Sequence, residues 1–187
     1  MADSKIAVLD FGSQYAHLIA KRFRALGYYS EIALPSAPLD FFKDAKGIVL
    51  SGGPSSVYDE KVPDFNEEIL SLGIPVLGLC YGHQLMAKCT GGKVGKASTG
   101  EFGIAHLEKT EAGLSSPLLK GISDTTQVWM SHQDEVLSAG DGFEVIGKTK
   151  DCASAALQNL NKKMFSLQCH CEVKDTPEGN RIFENFA

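Results

Sequence analysis

The chain has 187 residues, 43% apolar and 22% charged, with a formal net charge of -5. That length suits one domain with its own hydrophobic core, spanning 1–187, and the acidic balance excludes nucleic-acid binding by bulk electrostatics. No apolar run reaches membrane-spanning length, residues 1–10 lack the apolar core of a signal peptide, and five unevenly spaced cysteines point to a reducing, cytoplasmic setting rather than a disulfide framework.

Residues 5–10 predict a short buried strand, followed by a turn at Phe11-Gly12-Ser13 with Ser13 as candidate N-cap. Over 14–26 the apolar residues Tyr15, Leu18, Ile19, Phe23 and Leu26 fall at helical spacing, while Lys21, Arg22 and Arg24 take the other face. Strands are predicted over 28–34, 47–51 and 75–79, with a helix over about 64–72 before the last of them. Alternating strands and helices imply an α/β, doubly wound, flavodoxin-like and mostly parallel sheet. Such sheets place ligands beyond the carboxyl ends of their strands. The second half differs: 102–109, 127–132, 143–149, 154–158 and 164–170 predict short antiparallel strands added at an edge, and 176–186 a closing helix.

The stretch Gly78-Leu79-Cys80-Tyr81-Gly82 carries the chemistry. It is the cysteine counterpart of the strand–nucleophile–helix elbow, in which a Cβ on either neighbouring glycine would clash. The following helix points free N–H groups and its positive dipole end at the sulfur, which favours the reactive thiolate. A thiol nucleophile needs a base and an oxyanion hole. Among the five histidines His170 stands out, because Glu172 lies two residues on and shares its face in a strand, where it can hold the imidazole tautomer. Cys169-His170-Cys171 has poor spacing for one zinc site, and no second Cys/His pair of zinc-site spacing accompanies it, so no metal is expected. Ser51-Gly-Gly-Pro-Ser-Ser56 has two readings: half of an oxyanion hole, or a phosphate-binding loop. It is not a Walker A loop, since no Gly-Lys-Ser/Thr follows.

Together, Gly78-Leu-Cys80-Tyr-Gly-His-Gln84, Ser51-Gly-Gly-Pro54 and His170-x-Glu172 resemble the class I (triad) glutamine amidotransferases. Asp10-Phe-Gly-Ser-Gln-Tyr15, Leu50-Ser-Gly-Gly-Pro-Ser-Ser-Val-Tyr58 and Val128-Trp-Met-Ser-His132 resemble the glutaminase portion of GMP synthetases. The resemblance implies Cys80 as nucleophile, His170 as base and acid, and Glu172 as orienting carboxylate. It implies an oxyanion hole from the N–H groups of Gly53 and Tyr81, and glutamine held by Gly52, Gln84, Ser131, His132 and Gln133. The implied reaction is hydrolysis of the glutamine side-chain amide through a thioester. The ammonia would go to a GMP synthetase ATP-pyrophosphatase domain or subunit that converts XMP to GMP. No cofactor is expected in this chain; ATP and Mg belong to that partner, for which 187 residues leave no room, so a separate subunit or an excised domain is expected. Two departures stand out: Cys171 replaces the family's usual proline, predicting a looser His170 strand, and Gln133 replaces a usual glycine, predicting hindered backbone approach to substrate. Alternatives on the same scaffold are another triad amidotransferase, a γ-glutamyl hydrolase, or a weakly catalytic flavodoxin-like regulatory domain.

Overall fold

The computed structural model describes residues 5–12, 14–59 and 62–187. Ser13, the expected N-cap, lies outside them; the first helix, α1 (Ala16–Ala25), starts after Tyr15 without a side-chain cap bond. The strands are β1 (Lys5–Leu9), β2 (Tyr29–Ala33), β3 (Ala45–Leu50), β4 (Val76–Leu79), β5 (Lys93–Lys109), β6 (Thr125–Ser138), β7 (Glu144–Lys148), β8 (Ala156–Asn159) and β9 (Met164–Leu167). The further helices are α2 (Tyr81–Cys89), a single turn α3 (Glu111–Leu114) and α4 (Gly179–Phe186).

Among the described residues these strands form one sheet of nine, ordered β2-β1-β3-β4-β9-β8-β7-β5-β6. The half from β2 to β9 is parallel, and the half from β8 to β6 is antiparallel. This is the flavodoxin-like α/β sheet with an added antiparallel edge. Period-2 alternation explains why both faces of the parallel half are covered. Ile6 and Val8 of β1 join Ile19 and Phe23 of α1 and Ile182 and Phe183 of α4 in one core. Ala7 and Leu9 face the other way, into a second core with Leu50, Leu85 and Met86.

Three expectations change. The segment 164–170 is not an antiparallel edge strand throughout: β9 pairs parallel with β4, registering Leu79 with Leu167. Its chain then bends, and His170 makes only an isolated bridge to Trp129. The helix expected over 64–72 is a 3-10 turn, Glu67–Ser71. Asn66 caps it through Glu68 N–H, and Gly73 follows in the left-handed region, so only six residues remain between cap and stop. A run that short suits 3-10 geometry. The closing helix begins at Gly179, three residues later than expected.

The β4–α2 junction is tight. A Cβ at Gly78 would sit 2.5 Å from the Gly82 carbonyl oxygen, and a Cβ at Gly82 would sit 2.3 Å from that of Leu50. Both obstacles are backbone, so neither can rotate aside. We expect Gly82→Ala to destabilise the fold by on the order of 1–3 kcal/mol by overpacking. Urea unfolding against wild type measures this, and an unchanged midpoint would contradict the close approach.

Candidate active site

Cys80 stands where β4 becomes α2, with φ 52° and ψ -106°. Such a left-handed φ on a non-glycine residue costs on the order of 1–3 kcal/mol and persists only where surroundings impose it. Here they do. Cys80 N–H donates to the Leu167 carbonyl of β9 at 2.9 Å, and its own carbonyl accepts from His83 and Gln84 N–H. Gly82 N–H goes to the Ser51 carbonyl at 3.1 Å. Of the first helical turn, the N–H of Tyr81 is left for another acceptor, because no hydrogen bond claims it among the described residues.

His170 follows β9, the strand beside β4, so the two segments leave adjacent parallel strands at the same end. Its Nδ1–H donates to Glu172 Oε1 at 2.7 Å, because a carboxylate can only accept. His170 N–H donates to Trp129 O at 2.9 Å, and the His170 carbonyl accepts from Thr176 Oγ1 at 2.6 Å. Arg22 Nε holds the Glu172 carbonyl at 3.0 Å. The segment is therefore pinned without a proline at 171, which corrects the expectation of a looser strand. His170 and Glu172 do share a side, but across a bend rather than along a strand. Cys169 and Cys171 meet each other, Sγ to Sγ 3.9 Å.

Burial by itself lowers the pKa of His170. Hydrogen bonding to Cys80 and Glu172, and their charges, outweigh burial and raise it to about 11. Cys80 Sγ also lies 3.7 Å from the Ser131 carbonyl and 3.7 Å from Gln168 Nε2. Burial pushes the thiols of Cys89 and Cys152 up to about 12, and the bond to Cys169 holds Cys171 well above the ordinary range. Of the remaining histidines, His17 and His106 are exposed, and burial lowers His83 to about 3.

Cys80 opens onto a cleft of about 660 Å³ lined by Gly53, Tyr81, Gln84, Ser131, His132 and Gln133 among others. Gly52 is buried behind Gly53 and does not line it. The Nε2 donors of Gln84 are committed to the Asp134 carbonyl (2.8 Å) and Gln168 (3.0 Å), so it offers the cleft its oxygen. The ring of His132 is engaged by Glu101 at Nε2 and by the Asp134 carbonyl at Nδ1. Gln133 needs no glycine conformation: among the described residues only Cys80 and Lys163 have positive φ outside glycine. The sequence reading missed Lys96 and Asp134, which also line the cleft, beside Ser56 of the loop after β3. Lys96 and Asp134 face each other as register partners on β5 and β6, a signal visible only once the strands are paired. Glu101, His132 and Cys152 bring metal-ligating atom types within 4.8 Å of one another, but Glu101 and His132 are already hydrogen-bonded together at 3.0 Å.

The sequence profile of the family described as glutamine amidotransferase class-I matches residues 7–187. A protein of Leptospira interrogans named probable GMP synthase [glutamine-hydrolyzing] is 47% identical over 97% of this chain and 30% of its own length. A GMP synthase [glutamine-hydrolyzing] of Lactobacillus delbrueckii subsp. bulgaricus is 46% identical over 98% of this chain and 35% of its own. The chain thus spans about a third of the length of these curated relatives. Among solved structures, a putative GMP synthase subunit from Thermoplasma acidophilum superposes with a TM-score of 0.86 at 28% identity, covering 100% of this chain and 93% of its own. A glutamine amidotransferase from Thermotoga maritima shares the fold, with a TM-score of 0.74 at 21% identity over 100% of this chain and 81% of its own. The chain belongs to the class-I glutamine amidotransferases.

Proposed function

We propose that Cys80, His170 and Glu172 are a catalytic triad that hydrolyses the side-chain amide of glutamine. The carrying observation is that one buried imidazole engages Glu172 on Nδ1 and Cys80 as well, with Cys80 held in the elbow conformation. A protonated His170 stabilises the Cys80 thiolate, which attacks the amide carbon. The negative oxygen of the tetrahedral intermediate falls to the N–H groups of Gly53 and Tyr81. His170 then gives its proton to the leaving ammonia. It takes one from the water that cleaves the γ-glutamyl thioester, and glutamate leaves. Glu172 fixes the tautomer throughout. Lys96 and Asp134 supply opposite charges at the cleft, which fit the carboxylate and ammonium of an amino acid. The names of the relatives support a destination for the ammonia. It passes to a synthetase region that uses ATP and Mg²⁺ to convert XMP to GMP, with no cofactor in this chain.

A glutamine-mimicking electrophile is expected to label Cys80 well before the other four cysteines, as peptide mapping reads directly. His170→Ala is expected to lower glutaminase turnover by roughly three orders of magnitude or more. Even labelling of all five thiols at neutral pH, or near-normal turnover without His170, would overturn the triad.

The pH dependence follows from the raised His170 pKa. Its ordinary value is 6.5 and its folded value about 11. The protonated pair therefore contributes its full stability below about 6.5 and loses it as pH rises towards about 11. Urea unfolding of wild type and His170→Asn at about pH 6 and about pH 10 should show a gap that narrows at the higher pH. A gap that widens would contradict the protonated state.

Ammonia released without an acceptor is lost, so an incompletely formed oxyanion hole in the isolated chain is a physical safeguard. A flipped peptide at Gly53 removes one donor, a loss worth about 10²–10³ in rate. A synthetase partner carrying XMP and ATP is expected to raise ammonia release at saturating glutamine at least about tenfold, a coupling of about 1.4 kcal/mol. Identical rates with and without that partner would exclude the coupling.

A further inference from the structure

The rim of the cleft is held in an unusual way. β5 and β6 pair regularly up to Glu101↔His132 and resume at Lys96↔Asp134, so residues 97–100 bulge out opposite Gln133 alone. The ladder is broken at the substrate wall, and side chains span the break. His132 Nδ1 lies 2.9 Å from the Asp134 carbonyl, and Nε2 lies 3.0 Å from Glu101 Oε2. Thr149 Oγ1 donates to Glu101 Oε1 at 2.7 Å and accepts from Cys152 N–H at 3.0 Å. The side chains of His132 and Glu101 are only 2% and 8% exposed.

Proton counting fixes the arrangement. A carbonyl only accepts, so Nδ1 carries a hydrogen. One further proton then sits between Nε2 and Oε2, and every polar atom of the pair is engaged. The Asp134 carbonyl takes a second bond from Gln84 Nε2 at 2.8 Å, and Asp134 Oδ2 accepts from Ser56 Oγ. Asp134 is thus the node where α2, the loop after β3 and the β5–β6 rim meet, with its carboxylate at the cleft.

We propose that Glu101 and His132 are positioning residues that aim Asp134 at the ammonium group of an amino-acid substrate. The inference rests on the glutaminase reading above, but concerns binding rather than the chemical step. Cys80, His170 and Glu172 leave β4 and β9, and none of them bonds to this pair. Removing the pair therefore takes away one of the anchors on Asp134, leaving those from Gln84 and Ser56, and weakens substrate binding while the attack on the amide proceeds. A purely structural core pair would instead lower stability and active fraction with KM unchanged.

The test uses the 187-residue chain and three variants. Glu101→Leu removes one partner. The double variant Glu101→Leu/His132→Leu removes both, leaving no unpaired buried charge. Glu101→Gln keeps both bonds, since its amide donates to neutral Nε2 and its oxygen still accepts from Thr149. KM and kcat come from ammonia release, and glutamine affinity from calorimetry in a Cys80→Ala background. Melting temperature and iodoacetamide labelling of Cys80 report the intact fold. The expected result is a KM and a dissociation constant raised at least about tenfold in both leucine variants, kcat within about threefold, and recovery of most of that loss by Glu101→Gln. A double variant that folds and keeps wild-type KM and affinity overturns the proposal, as does a Glu101→Gln that loses as much as Glu101→Leu. If wild type hydrolyses and binds glutamine while these variants behave as it does, only the positioning role falls. If wild type does neither, the glutaminase reading falls and this inference with it.

Discussion

The parallel pairing of β9 with β4 is the constraint on which the site depends. β4 ends in the elbow and β9 runs into the bend that carries His170. Registering Leu79 with Leu167 sets residues 80 and 168 side by side, and the Cys80 N–H to Leu167 O bond continues that ladder by one step. A shift of one residue would turn every β9 side chain to the opposite face. Buried residues on both faces resist it, since Leu167 belongs to one core and Met164 to the other. The same packing that stabilises the sheet therefore fixes the distance between a thiol and an imidazole far apart in sequence.

What the sequence reveals is mostly local. The glycines around Cys80 declare the elbow because the clash they avoid involves Gly82 and Leu50 backbone whatever the rest of the fold does. The strands β1 to β4 are legible from apolar runs, and α1 from its period. The place of β9 is not legible: nothing in Met164–Leu167 says which neighbour it pairs with or in which direction. His170 and Glu172 are associated for a reason partly different from the expected one, since a bend brings them together. Asp134, Lys96 and Glu101 escape a linear reading because their meaning arises only when β5 and β6 are paired across a broken register.

The two departures from the family's usual pattern illustrate the difference between a motif and its physical purpose. A proline stiffens a segment by fixing φ and removing a donor. Here the stiffness comes instead from outside, through Trp129, Thr176 and Arg22, each bonded to backbone of 170–172. Gln133 sits at the register break with an ordinary backbone, so its side chain leaves the strand without strain. At 170–172 tertiary contacts thus replace a local device.

Strain and buried charge converge on the same few residues, and each constrains the other. Glu172 is fully buried, and its Oε2 has no hydrogen-bond partner among the described residues. An isolated carboxylate in that position is strongly disfavoured by desolvation. It is tolerable if the neighbouring imidazole keeps its proton, which the raised His170 pKa favours and the short Nδ1–Oε1 bond accommodates. That imidazolium in turn favours negative charge on whatever faces it, and the strained turn at Cys80 places a sulfur there. Relaxing the elbow would remove the partner that helps hold the proton. Neutralising Glu172 would remove the other. The cost of the unusual φ at Cys80 and the cost of the buried charge at Glu172 are thus met by one shared interaction, so the three groups are expected to respond to substitution as a unit and not as three independent contributions.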